Sequence, residues 1–450
     1  MKPDTDRQAL IDETVARYRK ILEEMLPDDN ATLDQIEGAI EDIGKNMLPD
    51  LQEKVVNERS KKCRDNKIDC TCGGKARFRG MVTRTLITLH GLLRWTRPAY
   101  HCKKCGKGCA PLDASLGLDK GDTTLGVRDM VAFFVPDTGF VGTTESLRKS
   151  RGLDLSASTV ERIAVSVGAQ LRKAQETDAA LHKADQLPDR RTACPRRLYI
   201  GADGVMAPMR DEWKKNGSLG KLNCRFGECK TGIVYETYVD KQTGRDSRVS
   251  TRSYVATTKD VEAFEPLLGL LAHRAGHHAA KEIVLLGDGA IWIWYMFARL
   301  FPGAIQILDF YHACDHIALV AEAMFGKGTD AGKKWQNERQ AELKDNGVSL
   351  VIAAITAWMP STDAGQEIKR TQAKYFTENA ERMRYKTYLE KGYHIGSGVI
   401  ESSCKHIVVQ RLDQAGMHWR QAIADAILAL RANKRCTNPV DLKPYLAMAA

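Results

Sequence analysis

The sequence predicts an α/β protein that gathers acidic side chains at one edge of a sheet. Two short apolar runs, Leu198 to Ile200 and Ile283 to Leu286, each close on an aspartate followed by glycine, in YIGADG and VLLGDGA. A buried strand that delivers a carboxylate to its C-terminal edge reads this way. A third acid, Glu401, opens a helix-like segment after the glycine-rich turn of IGSGVIESSCKH.

Strand-like segments at 197–203, 228–239 and 250–256 precede a helix at 259–275, a strand at 282–287, a helix at 290–300 and a strand at 304–309. The order βββ-α-β-α-β is that of a ribonuclease-H-like domain. The first part of that core is expected over 195–316, a charged helical insertion over 317–394, and closing helices over 395–435, with a tail at 436–450. Helices are expected from Ile400 through Val409 and at Arg420–Arg431.

The elements ahead of the core follow from composition. The 450 residues suit two to four domains, and 43% hydrophobic with 28% charged residues is ordinary for a globular chain. No apolar run reaches the roughly 18 residues that span a bilayer, and the polar N-terminus is unlike a signal peptide, so a cytoplasmic location is expected. Residues 1–60 form an acidic helical arm with 8 Lys/Arg against 15 Asp/Glu, apolar residues at helical spacing, and caps expected at Asp34 and Glu41. Packing or self-association is the natural work of such an arm, and the protein is expected to be a homo-oligomer.

Residues 61–115 invert the charge, with 13 basic against 2 acidic residues over 61–110. Such concentration favours a polyanion, here nucleic acid, through counterion release. Cys70-Thr-Cys72-Gly-Gly and Cys102-Lys-Lys-Cys105-Gly flank a β-hairpin, the plan of a zinc ribbon with four thiolates. The Cys-x-Cys pair is tighter than usual, which leaves Cys63 or Cys109 as substitute ligands and free structural thiols as the alternative. Lys103 and Lys104 stand between the second pair, where they would meet DNA. Over 124–185, an apolar stripe at Val127–Phe134, a short helix at Thr144–Ser150, a turn at Gly152–Ser156 and a helix begun by Ser158-x-x-Glu161 read as a helix-turn-helix or as a three-helix connector.

The acids define the chemistry. Either Asp-Gly alone is more often a hairpin turn than a ligand, and a glutamate in a first helical turn is ordinary. Their joint occurrence fits oxygen ligation of two Mg²⁺ ions, with Asp203 shared, Asp288 on one ion and Glu401 on the other. Asp309 and His312, just past the last strand, would touch the same phosphate or support a metal ligand from behind, the alternative being a helix cap by Asp309 with a packed histidine. A zinc site from His312, Cys314 and His316 is disfavoured by irregular spacing. Lys405 lies four residues after Glu401, on the same helical face, and with Arg411 would meet phosphate. Trp419 would stack on an unpaired base or fill the core.

The blocks YIGADGVMAP, VLLGDGAIWIW, ILDFYHACDHI and GSGVIESSCKHIVVQR…GMHW resemble DDE transposases of bacterial insertion sequences, of the ISKra type, relatives of the Mutator-like transposases. The resemblance implies a ribonuclease-H-like domain interrupted by a helical insertion, a Mg²⁺- or Mn²⁺-dependent triad at Asp203, Asp288 and Glu401, and Asp309–His312 as the family's C/D-x-x-H motif. It implies that the ribbon and helix-turn-helix bind terminal inverted repeats. Water would cut at element ends and the freed 3′-hydroxyl would attack target DNA. The alternatives are a silent DNA-binding derivative and a nuclease without strand transfer.

Overall fold

The computed structural model describes residues 3–61, 65–118, 121–188, 194–210 and 224–448; Cys63 and part of the linker after Leu187 fall outside them. The chain forms two compact units, residues 1–167 with 441–450 and residues 168–440. No described helix is long and apolar enough to cross a membrane.

In the first unit, α1 (Pro3–Met25) and α2 (Leu33–Lys61) form a helical hairpin. The α2 cap differs from expectation: Thr32 and Gln35 make a reciprocal capping box, Thr32 N to Gln35 Oε1 at 2.7 Å and Gln35 N to Thr32 Oγ1 at 3.4 Å, which leaves Asp34 in the first turn and Glu41 inside the helix. Strands β1 (Lys67–Asp69), β2 (Lys75–Thr88), β3 (Gly91–Cys102) and β4 (Gly108–Cys109) form an antiparallel sheet in chain order. Alternation sends Leu93 and Trp95 inward from β3, where they meet Leu86, Val56 of α2, and Leu112 of α3 (Pro111–Ser115). Asp113 of α3 takes Arg84 at 2.7 Å and Arg97 at 2.6 Å. Two of the basic residues in this segment are therefore answered internally.

Helix α4 (Leu125–Arg151) is two helices joined at a kink, where Gly139 has a non-helical φ of 72°. Gly152, left-handed at φ 65°, ends it, and α5 (Ala157–Lys183) follows. Ser156 rather than Ser158 caps α5, its hydroxyl accepting from Thr159 N at 3.1 Å.

The second unit is built on a five-stranded sheet of order β7-β6-β5-β8-β9. Strands β5 (Arg197–Arg210), β6 (Cys224–Val239) and β7 (Asp246–Thr257) form an antiparallel meander. Helix α6 (Val261–Arg274) crosses to β8 (Glu282–Gly287), parallel to β5, and α7 (Ile291–Leu300) crosses to β9 (Ile305–Leu308), parallel to β8. This is the expected succession of elements, in a mixed α/β fold with a central sheet. One difference concerns β5, which continues past Asp203 because β6 pairs with it as far as Arg210.

Helix α8 (Phe310–Phe325) leaves β9, and α9 (Asp330–Asp345), α10 (Val348–Ala357), α11 (Asp363–Glu378) and α12 (Tyr385–Glu390) follow. They are not a separate body: Leu343, Val351, Ile355, Phe376 and Tyr385 share one apolar core with the sheet. Helix α13 (Gly398–Cys404) runs into a π-helical turn, Lys405–Val409, and a last turn α14 (Gln410–Leu412) before α15 (Gln421–Arg435). The expected tail holds α16 (Lys443–Met448), which belongs to the first unit, where Arg128 Nη1 bonds the Leu446 carbonyl at 2.9 Å.

Two glycines fix what covers the sheet. A Cβ at Gly232 would lie 2.8 Å from Leu268 of α6, and one at Gly201 would lie 2.3 Å from Ile400 of α13. Gly201 and Asp203 point to the same face of β5, so α13 is seated on the face that carries Asp203. A Gly201→Val chain is expected to lose about 1–3 kcal/mol through overpacking and to displace α13, read as a lowered denaturation midpoint.

Candidate functional site

The parallel register aligns the acids. The last β5–β8 pair is Gly201 with Leu286, so Asp203 and Asp288, each two residues further on, stand level. The last β8–β9 pair is Gly287 with Leu308, so Asp288 and Asp309, each one residue further, also stand level. Three adjacent strands thus bring an aspartate to one height at the C-terminal ends of β8 and β9.

Glu401 reaches this region by a strap. Residues 392–397 cross the sheet lengthwise, tied at the far end by Asp246 N to the Gly392 carbonyl at 3.1 Å, Tyr393 Oη to Glu282 at 2.8 Å, and His394 N to Tyr199 Oη at 3.1 Å. Asp246 is buried there between Arg196, Arg197 and Tyr199. Burial pushes its carboxyl up, but the hydrogen bonds from Tyr199 and Arg197 outweigh this and hold it below the usual range. At the near end, Phe310 N bonds the Ile395 carbonyl at 2.9 Å, and Ser397 N donates to Asp309. Ser397 Oγ then donates to Glu401 Oε1 at 2.9 Å. Cys404, one turn on, donates its thiol to Asp203 Oδ2 at 3.2 Å.

Asp309 is fully buried and caps α8, its Oδ1 accepting from His312 N at 2.5 Å while the other oxygen takes Ser397 N. It is an internal clamp rather than a group that meets a phosphate. His312, in the first turn of α8, lies close enough to Asp203 to act on its charge. Burial raises the Asp203 carboxyl and the Asp288 charge adds to this, against the Cys404 hydrogen bond, the Gly204 N–H and His312. Asp288 closes its own turn by accepting from Ala290 N at 2.9 Å, and Gly289 follows at φ +107°. Tyr375 of α11 covers that turn, donating to the Asp288 carbonyl at 3.3 Å and stacking on His316 at 3.7 Å. The helical insertion therefore walls the acidic edge.

Glu401 and Lys405 are exposed. Two expected DNA contacts are corrected. Trp419 is 7% exposed, donates Nε1 to the Leu412 carbonyl at 2.9 Å and pairs its backbone with Pro208 and Arg210 of β5. Arg411 is 1% exposed, with its guanidinium 4.7 Å from the Trp419 ring. Both are inward packing of the α14–α15 connection, so neither presents a surface to a nucleic acid.

The cysteine pairs converge as their spacing suggests. Cys70 Sγ lies 3.7 Å from Cys105 Sγ, and Cys72 Sγ lies 3.6 Å from Cys102 Sγ. A tetrahedron of thiolates at about 2.3 Å from an ion has edges of about 3.8 Å. The tight Cys-x-Cys pair works because Cys70 and Gly74 close a backbone turn, Cys70 N to the Gly74 carbonyl at 2.8 Å. The Cys72 backbone N–H and the neighbouring thiols lower Cys70 to about 7. Despite the Gly74 N–H, the same thiols push Cys72 up to about 11. Cys109 is exposed and outside the group. Lys103 and Lys104 are exposed in the turn between Cys102 and Cys105.

Among the described residues, this four-cysteine group and His273, His277 and His278 are the sets of three or more that could hold a metal ion, their ligand atoms all within 4.8 Å of one another; Asp203, Asp288 and Glu401 are not drawn together that closely. The histidines were not among the residues expected from sequence, nor were Ser397, Cys404 and Tyr375 around the acids. The His273-x-x-x-His277 spacing was a signal within reach.

The mixed sheet with acids at one edge is that of an α/β protein, and the four-cysteine group is a candidate metal site. The chain belongs to the uncharacterised protein family UPF0236, whose profile matches residues 33–437. Among solved structures it is similar to the Drosophila P element transposase strand transfer complex, at 10% identity over 71% of this chain and 80% of that one, with a TM-score of 0.24. No curated protein matches.

Proposed function

We propose that this chain is a DDE transposase of the ISKra-type insertion-sequence kind, cutting and joining DNA with Asp203, Asp288 and Glu401 as its metal-binding acids. The observation that carries the reading is the level register of Asp203 and Asp288 beneath a helix, α13, whose Cys404 bonds Asp203 and whose Glu401 stands at the same edge. The donors suit a hard divalent cation: all are carboxylates, and burial with the Asp288 charge penalises ionised Asp203 until positive charge arrives. Bound Mg²⁺ or Mn²⁺, as two ions, supplies Lewis-acid stabilisation to the attacking and leaving oxygens.

The chain's own residues supply placement. Asp203 is oriented by Cys404 and Gly204 N, Asp288 by Ala290 N, and Glu401 by Ser397, which Asp309 holds. Preset orientation of this kind keeps ligands from reorganising during the reaction. Lys405 is the exposed cation nearest in sequence to Glu401 and takes the phosphate role. The thiol group of the β1–β4 sheet holds structural Zn²⁺, and with Lys103, Lys104 and the helix-turn-helix-like α4–α5 region it binds the terminal inverted repeats. The working form is a homo-oligomer, as joining two ends requires.

The test is purified protein with terminal-repeat DNA and Mg²⁺, scored for nicks and for joined product. Nicks with joined product support the transposase. Nicks alone point to a nuclease, and a shifted band without nicks points to a DNA-binding protein. For the thiol site, Cys102→Ser is expected to lose one zinc per chain and to weaken repeat binding. Metal content and a band-shift titration check it, since removing one thiolate opens a structural tetrahedron.

A further inference from the structure

At the other end of the parallel strands, α6 ends in His273-Arg-Ala-Gly-His277-His278, and a short 3-10 turn (His277–Ala279) leads into β8. Gly276 takes the left-handed conformation at φ 80°, which folds His277 and His278 back beside His273. We propose that these three imidazoles form a second transition-metal site, taking a divalent ion of the zinc class.

Four observations support it. The close sequence spacing His-x-x-x-His-His is closed into a group by the left-handed Gly276 turn after α6, which brings His277 and His278 back to His273. One nitrogen from each of the three rings lies within 4.8 Å of the others. Ligation at about 2.0–2.1 Å needs nitrogens about 3.3 Å apart, a closure that side-chain rotation provides. His273 Nε2 and His277 Nδ1 are buried without a hydrogen-bond partner, a cost that an ion would remove. Finally, His182 of α5 packs its ring 4.6 Å from that of His273, which sets a further imidazole beside the group.

Imidazole nitrogen suits zinc, nickel, copper and iron, whereas Mg²⁺ prefers oxygen. The acids lie at the C-terminal ends of the strands and this cluster precedes the N-terminal end of β8, so the ion is structural. It pins α5 to the α6–β8 crossover, whose far end delivers Asp288. The proposal is independent of the transposase reading.

The test uses the full chain, stripped by a chelator, reduced, and titrated with Co²⁺ in excess Mg²⁺ to fill oxygen sites. The parent is expected to take up two Co²⁺, one with near-ultraviolet thiolate charge transfer and one with visible bands only. The His273→Gln/His277→Gln chain is expected to lose only the second. The Cys102→Ser/Cys105→Ser chain, with its histidines untouched, is expected to lose only the first and to melt higher when Zn²⁺ is added. Uptake by the histidine variant equal to the parent overturns the proposal. So does a cysteine variant that binds no Co²⁺.

Discussion

An Asp203→Asn chain is expected to bind terminal-repeat DNA as the parent does, to lose Mg²⁺-dependent cleavage by at least about a hundredfold, and to melt at a higher temperature in metal-free buffer. Loss of a partner behind a metal ligand already costs about 10–100-fold, and a shared ligand should cost more. The stability gain follows from the charge. Burial and the Asp288 charge raise the Asp203 carboxyl, so the fold favours its protonated form. For a carboxyl raised in this way, the folded state loses stability as pH climbs through the folded-state value, above the ordinary 3.9 or so. Asparagine has no proton to lose and keeps an acceptor for Gly204 N, so the variant should lack that decline. Mg²⁺ should raise the melting temperature of the parent and leave the variant unmoved. Equal Mg²⁺ shifts in both would remove Asp203 from the metal site, as would intact cleavage.

What the sequence made legible was the sheet, because each buried strand is a short apolar run and the Asp-Gly pairs mark where β8 and the parallel part of β5 end. The length of β5 was not legible: nothing in Gly204–Arg210 says that β6 will go on pairing beyond Asp203. Caps lie two residues from their expected positions where several hydroxyls compete, as Ser156 and Ser158 do before α5. Trp419 and Arg411 look like nucleic-acid contacts in a basic, aromatic stretch. Their inward orientation depends on the bridge between Met209 and Trp419, which links residues 210 apart. The cysteines were readable as a set because a thiol group needs only a turn and a hairpin. Tyr375 was not, since its role arises from how a distant insertion helix returns over Gly289.

Asp309 shows the same limit at the residue that assembles the site, and its replacement should separate positioning from ligation. Its two oxygens accept from two backbone donors, His312 N at the start of α8 and Ser397 N at the end of the strap. Asp309→Ala removes a helix cap, worth about 0.5–2 kcal/mol, and leaves the buried Ser397 N–H unanswered, about 1–3 kcal/mol more. A loss of about 2–4 kcal/mol is expected in chemical denaturation. Asp309→Asn should lie between the parent and alanine, because its carbonyl can keep the cap while its amide turns a donor toward Ser397 N. Since Ser397 also bonds Glu401, both variants should weaken Mg²⁺ binding by about 10–100-fold, with cleavage restored at high Mg²⁺. A direct ligand would not be rescued in this way. Cleavage by Asp309→Asn that stays absent at saturating Mg²⁺, in a chain that is folded, would make Asp309 a member of the metal site instead of its clamp.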